Sequence, residues 1–211
     1  MTETHSEAAL ESPWSGGGSP YAIGHKKLGM WLFICSDVMT FTALLMAYSY
    51  SRLSNPDWPA HVFPIYPAVL FSTTMTVVLL ASSLTMVMAV AAAYRGARGA
   101  AVKWLVATMA GGIIFCGLHI TEWFHLIEEG VRLFRNPWGS PLFGAAFFGI
   151  TGLHMTHVAC GVIYLGIVAI GYGTGRFKDE DVEVSGLYWH FVDLVWMFVF
   201  PMIYLMSVKY H

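Results

Sequence analysis

Residues 188–196 read YWHFVDLVW and lie inside an apolar run over residues 186–208. A run of this length can cross a bilayer as a helix. His190 and Asp193 stand three residues apart, so they share a helix face and can be partners. A carboxyl group at membrane depth is costly unless it faces protein or water, which makes it a functional-site hypothesis by default. Trp189 adds an indole N–H that can hydrogen-bond across a helix interface.

The composition is that of a membrane protein. Hydrophobic residues make up 56% of the 211 residues and charged residues only 11%, whereas a soluble domain carries about 25% charged residues. The formal net charge is −2 and no basic cluster is present, so the sequence argues against nucleic acid as a partner. All three cysteines lie in apolar runs, which favours packing roles over a disulfide framework.

Apolar runs separated by turn residues predict an all-α, polytopic membrane protein built as a bundle of five transmembrane helices. The predicted spans are residues 28–50, 66–94, 102–124, 143–170 and 186–208. They form one transmembrane domain over residues 25–211. The preceding residues 1–24 are rich in Gly, Ser and Glu and predict a flexible polar tail. This tail has no apolar h-region, so we do not expect a cleaved signal peptide.

Basic residues in the connecting segments predict the orientation of the bundle. With the N-terminus inside, the inner segments carry seven Lys or Arg residues: Lys26, Lys27, Arg95, Arg98, Lys103, Arg176 and Lys178. The outer segments then carry four: Arg52, Arg132, Arg135 and Lys209. Because basic residues concentrate on the cytoplasmic side, the sequence predicts a cytoplasmic N-terminus and a periplasmic C-terminus.

Two further carboxyl groups lie within predicted spans. Asp37 stands near the middle of the first span, where it is either a structural group bonded to another helix, a member of a proton relay, a contact for a neighbouring subunit, or a lipid anchor. Glu122 lies in the pattern His119-x-x-Glu122-x-x-His125. Glu-x-x-His also occurs in di-iron bundles, but such a site needs a second copy, which this chain lacks. A hydrogen-bonded cluster is therefore the favoured interpretation of Glu122.

Histidines supply the main alternative function. His154 and His157 lie on the fourth predicted span, and either could ligate zinc, copper or haem iron. Together with His119 and His190 they occupy three spans and could converge, so a self-contained haem or metal membrane protein is a second hypothesis. A proton-coupled transporter is a third, although the sequence has neither an inverted repeat nor a pair of Gly/Pro-broken helices.

Three segments together resemble subunit III of the haem-copper terminal oxidases in its short five-helix bacterial form. These are residues 188–196, residues 147–158 with the sequence FFGITGLHMTHV, and the pair Glu122-Trp123. The resemblance covers nearly the whole chain after the tail. It departs from the family at Asp37, where a glutamate usually follows the serine. The two extra N-terminal helices of the longer members, which complete a lipid-filled cleft, are also absent.

The resemblance implies an accessory subunit without catalytic residues or metal ligands of its own, in a complex that reduces O2 to water and pumps protons. Haems and copper are then expected in subunits I and II, with structural phospholipids on this chain. The implied partners are subunit I by direct contact and subunit II, with subunit IV and a respiratory supercomplex as further candidates. The implied location is the bacterial cytoplasmic membrane. A component of a quinol oxidase or nitric oxide reductase complex is the alternative within this class.

The polar residues then have expected roles in fixing the bundle and its lipid or subunit contacts. The candidate residues are Asp37, Glu122, His154, His157, Trp189, His190 and Asp193. Asp37 is expected on a face near subunit I or a lipid.

Overall fold

The structure, a computed structural model, describes residues 24–59 and 62–209. Residues 1–23 of the predicted tail lie outside the described residues. The chain forms five long helices: α1 (His25–Ser54), α2 (Leu70–Tyr94), α3 (Arg98–Glu128), α4 (Pro141–Gly173) and α5 (Asp179–Ile203). Each is long and apolar enough to cross a membrane. The prediction of an all-helical bundle with five helices long and apolar enough to span a membrane is therefore confirmed.

The fifth helix differs most from its prediction. It begins at Asp179 rather than near residue 186, because three acidic residues in its first turn face the positive end of the helix dipole. It ends at Ile203, and the chain continues through a short 3-10 turn (Leu205–Ser207). Val208, predicted to be helical, instead lies in a two-residue strand (Val208–Lys209) that pairs in parallel with Phe63–Pro64.

Local sequence sets the other helix ends. Gly96, at φ 70°, closes α2, and the next residue donates its N–H to Ala92 O at 3.0 Å, a hydrogen-bonded turn that suits glycine. At the start of α4, Ser140 accepts a hydrogen bond from the Leu142 N–H at 3.3 Å, and Pro141 occupies the first turn. Before α2, Tyr66 is extended (φ −120°, ψ 130°), so α2 starts later than the predicted residue 66.

Helix α5 lies at the centre of the bundle and α1 at its edge. Helix α5 packs against α1, α2 and α4, while α3 joins α2 and α4. In the most apolar part of α5, 56% of the residues are buried within the chain, against 11% for α1. Most of the α1 surface is therefore left for lipid or for another protein.

Contacts at its two ends hold α1 against α5. Near its start, Lys26 Nζ lies 2.6 Å from Asp181 Oδ1, and Lys27 forms an ion pair with Glu183. Near its end, Arg52 Nη1 donates to the Ser207 hydroxyl at 2.9 Å and the same guanidinium also binds the Met206 carbonyl. The first helix therefore has polar attachments at both ends and a mainly apolar surface between them.

Candidate functional site

Two tryptophans of α5 bind hydroxyl groups of α2. Trp189 Nε1 donates to Ser82 Oγ at 3.1 Å, and Trp196 Nε1 donates to Thr76 Oγ1 at 3.0 Å. As the residue number on α5 rises, that on α2 falls, which is the register of antiparallel neighbours. Both indoles are fully buried, so each N–H finds the partner that it needs. Trp189, predicted as a site residue, therefore links two helices within this chain.

His190 and Asp193 meet at Ser83 rather than at each other. His190 Nδ1 lies 2.7 Å from Ser83 Oγ, and Ser83 also faces the Asp193 carboxyl group. Within the described ranges no ion pair joins His190 to Asp193, and Asp193 Oδ1 is buried without a hydrogen-bond partner. In place of the predicted contact between His190 and Asp193, both side chains face Ser83. Helix spacing put both residues on one face, but the α2 hydroxyl group lies nearer to His190.

Asp37 of α1 pairs with His157 of α4. The distance from His157 Nε2 to Asp37 Oδ2 is 2.8 Å, and both side chains are largely shielded. His157 Nδ1 lies 2.8 Å from the Leu153 carbonyl oxygen, which can only accept, so Nδ1 carries a hydrogen. One further proton must then lie between Nε2 and Oδ2. The pair is neutral overall whether it is an acid beside an imidazole or a carboxylate beside an imidazolium.

His154 faces the bundle interior. Its Nε2 lies 3.1 Å from the Val192 carbonyl oxygen on α5, so Nε2 is the donor. The ring packs on Trp196 with the ring centres 5.0 Å apart. His154 is fully buried, and its Nδ1 has no hydrogen-bond partner in the part of the chain that the structure describes. The structure therefore places this histidine between α4 and α5.

Glu122 lies in a buried polar cluster that joins three parts of the chain. The Ser72 hydroxyl of α2 is 2.8 Å from Glu122 Oε1, and the Tyr204 hydroxyl, just after α5, donates to Oε2 at 2.6 Å. His119 Nδ1 is 3.4 Å from Oε2. Sequence spacing brings His119 and Glu122 together but does not indicate Tyr204. Its only sequence signal was that Tyr204 and Glu122 both stand near the ends of spans that run in the same direction.

The four membrane histidines separate into three environments. His119 and His154 both pack around Phe115 and Trp196, whereas His157 binds Asp37 and His190 contacts Ser83. Among residues 24–59 and 62–209, no group of three or more His, Cys, Asp or Glu residues is placed to hold a metal ion. The structure therefore does not bring the four histidines to one centre.

An apolar groove runs between α1 and α5. Its volume is about 500 Å³. The side chains that line it from α1 include Phe41, Leu45 and Met46, and those from α5 include Leu194 and Phe198. Because the groove is open and almost entirely apolar, its chemistry matches that of a hydrocarbon chain.

Comparisons with known proteins agree with the motif segments. The family model described as cytochrome c oxidase subunit III matches residues 4–208. The chain is 32% identical to the cytochrome c oxidase subunit 3 of Alkalihalophilus pseudofirmus, over 87% of this chain and 88% of that relative. For the protein of the same name in Bacillus subtilis, the identity is 33%, over 87% of each chain. For the cytochrome bo(3) ubiquinol oxidase subunit 3 of Pseudomonas aeruginosa, it is 31%, over 87% and 86%. These matches confirm the predicted resemblance.

Proposed function

Since the chain belongs to the cytochrome c oxidase subunit III family, we propose that it is the non-redox accessory subunit of a proton-pumping haem-copper terminal oxidase. The complex reduces O2 to water in aerobic respiration. Subunits I and II hold the haems and the copper. This chain packs directly on subunit I and contributes no catalytic residue. Subunit IV and a respiratory supercomplex are its further partners.

One observation carries the accessory role. Polar side chains at membrane depth are directed to other helices of this chain, as in the Trp189–Ser82 and Asp37–His157 contacts. Lipid tails are as apolar as leucine, so helices in a membrane associate through close packing and interhelical hydrogen bonds. Side chains used in this way stabilise a rigid bundle. Such a bundle can support a catalytic neighbour.

The groove between α1 and α5 supports the binding of a structural phospholipid. Its open apolar wall suits an acyl chain, and the largely exposed surface of α1 extends that wall. Met46→Trp narrows the groove, whereas Met39→Trp changes an equally apolar residue of α1 outside it; the two methionines are 67% and 76% exposed. We expect mass spectrometry of the purified complex to show less bound phospholipid for Met46→Trp only. Equal lipid content in both variants would exclude the groove as the lipid site.

Asp37 and His157 support the proposed contribution to proton uptake. Their contact holds one proton between Nε2 and Oδ2, and both side chains retain some exposure at the surface of the bundle. A proton held in this contact can move between Oδ2 and Nε2 without changing the net charge of the pair. In the family a carboxyl group occupies this position as glutamate, so Asp37 keeps the functional group on a shorter side chain.

The proposed location is the bacterial cytoplasmic membrane, with the N-terminus in the cytoplasm. The supporting feature is the basic end of the bundle, where Lys26 and Lys27 lie beside the start of α5. A cysteine introduced at Asp57 should react with a membrane-impermeant thiol reagent in intact cells. A cysteine introduced at the exposed Ala97 should react only after lysis. The reverse pattern of labelling would show that the N-terminus is outside and would contradict the proposed orientation.

The electron donor is either cytochrome c or a quinol. Relatives named for each donor match this chain at 31–33% identity, so a quinol oxidase is a second candidate with equal support. Purification from the native membrane in mild detergent, followed by mass spectrometry, tests the proposal. Co-purification of a haem-carrying subunit I and a subunit II is the expected result, and subunit II identifies the donor. A chain that purifies alone with bound haem or metal would overturn the accessory role.

A further inference from the structure

A cleft opens beside the end of α3 and reaches Glu122. Its volume is about 230 Å³, and aromatic side chains such as Phe63, Phe71 and Trp138 form much of its lining. His125 and Glu129 also line it. Glu122 is only 7% exposed, so it lies at the inner wall of the cleft rather than at its mouth. A buried carboxyl group therefore has a route to the solvent.

The hydrogen bonds around Glu122 are compatible with two protonation states. The Ser72 hydroxyl lies 2.8 Å from Glu122 Oε1 and 3.0 Å from the Ala68 carbonyl oxygen. A hydroxyl group has one hydrogen, so it donates to only one of these oxygens at a time. If Ser72 donates to Glu122, Oε1 carries no hydrogen, as in the charged carboxylate. If Ser72 donates to Ala68, a protonated Glu122 donates to Ser72, and every hydrogen bond is kept.

His119 is the second proton acceptor at this site. Its Nδ1 is 3.4 Å from Glu122 Oε2, and the ring is fully buried between Phe115 and Trp196. Neither ring nitrogen has a hydrogen-bond partner among the described residues. Buried polar atoms are almost always satisfied, so a histidine in this state points to a mobile proton or a small polar ligand.

Among residues 24–59 and 62–209, no Lys or Arg forms an ion pair with Glu122. None of the cleft-lining residues is Lys or Arg. The titratable groups that face the cluster are His119, His125, Glu129 and Tyr204, with His154 behind His119 across the Phe115 and Trp196 rings. A charged carboxylate that is buried without a cation is strongly unfavourable. A proton is the smallest ligand that removes this charge, and the Ser72 geometry already accommodates it.

The geometry points to a proton-exchange site formed by Glu122 and His119 and reached by water through the cleft. Hydronium in the cleft transfers a proton to the Glu122 carboxylate and becomes water. A water molecule that transfers the proton becomes hydroxide. When Glu122 carries its hydrogen on Oε2 instead, Ser72 donates to Oε1 and the proton can pass from Oε2 to His119 Nδ1, 3.4 Å away. The site is separate from Asp37. In the proposed orientation it opens to the periplasm, and only this assignment of the side rests on the proposed function.

Infrared difference spectroscopy in H2O and D2O tests the proposal. The sample is the chain with all subunits that co-purify from the native membrane. We expect a C=O stretching band of a protonated carboxylic acid that shifts in D2O, is absent in Glu122→Gln and persists in Asp37→Asn. An exchanging band left unchanged by Glu122→Gln, or a Glu122 band that never shifts in D2O, would overturn the proposal. Neither outcome depends on whether an oxidase co-purifies.

A second pair of variants keeps the Glu122 carboxyl group and tests whether the cleft is the path of the proton. Ala68 lines the cleft, so Ala68→Leu should narrow it and slow the exchange of the Glu122 band several-fold. Ala47→Leu is the matched control on the exposed face of α1 and should leave the rate unchanged. This comparison also decides the case if Glu122→Gln fails to assemble. Equal exchange rates in Ala68→Leu and the unmodified chain would exclude the cleft as the path.

Discussion

Two glycines of α3 allow a controlled test of the packing around Trp189. A methyl group added at Gly112 would lie 2.5 Å from Trp189 Cη2 and 2.8 Å from Val162 Cγ2, far inside normal contact. A methyl group added at Gly117 meets no atom within 4 Å. Both substitutions replace a helical glycine by alanine on the same element. They differ in whether the new methyl group meets its neighbours.

The expected difference follows from three contributions to the free energy of unfolding. Replacing glycine by alanine within a helix stabilises by about 1 kcal/mol at either position, so this gain cancels in the comparison. Overpacking at Gly112 costs about 1–3 kcal/mol. The Trp189 ring is fully buried, and any retreat also strains its hydrogen bond to Ser82, which is worth about 1 kcal/mol. We therefore expect Gly112→Ala to be less stable than Gly117→Ala by about 1–3 kcal/mol.

Unfolding in mixed micelles of mild detergent and SDS measures this difference. The double variant Gly112→Ala/Trp189→Phe supplies an internal check, because the smaller ring leaves room for the methyl group. Its loss should be smaller than the sum of the two single losses. If Gly112→Ala and Gly117→Ala have the same stability within about 0.5 kcal/mol, or if the double variant is additive, the close approach of α3 to Trp189 is refuted.

Three further predictions concern contacts between helices. Trp196→Phe should lower the free energy of unfolding by about 1 kcal/mol through loss of the hydrogen bond to Thr76, and adding Thr76→Val should lower it little further. Full additivity of the two substitutions in a double-mutant cycle would refute that hydrogen bond. Asp37→Leu should cost about 1–3 kcal/mol because it leaves His157 Nε2 unpaired, and His157→Leu in the same chain should recover part of the loss, both in the same unfolding assay. Arg52→Gln should speed amide hydrogen exchange in the segment after α5; unchanged exchange would show that this contact does not hold the segment.

The number of helices could be predicted from the sequence because an apolar run of about 20 residues is itself the signal for a span. The ends of α5 could not be placed in this way. Asp179 and its acidic neighbours look like a polar loop when hydropathy alone is considered, but they form the helix's first turn. At the other end, apolar residues continue to Val208 although the helix stops at Ile203, so hydropathy does not reveal the change of backbone conformation.

For the site residues too, the sequence indicates only part of the arrangement. Helix periodicity placed His190 and Asp193 on one face, yet it carries no information on the residue that faces them from another helix. Ser83 is one of many hydroxyl residues on α2, and only packing decides that it meets His190. Tyr204 is similar, because its contact with Glu122 depends on how α3 and α5 lie together. Partners within one helix can be predicted from spacing, whereas partners between helices require the bundle.

The central position of α5 explains why its segment 188–196 combines aromatic and polar residues. A helix that packs against three others needs large side chains to fill the interior, and Trp189 and Trp196 supply them. In a membrane, apolar packing alone gives little preference for one register over another, since lipid offers similar contacts. The two indole N–H groups favour one register, because both have a hydroxyl partner on α2 in the observed alignment. A shift along the helix that left a buried indole N–H unpaired would cost about 1–3 kcal/mol. The same residues that fill the core therefore also fix its alignment.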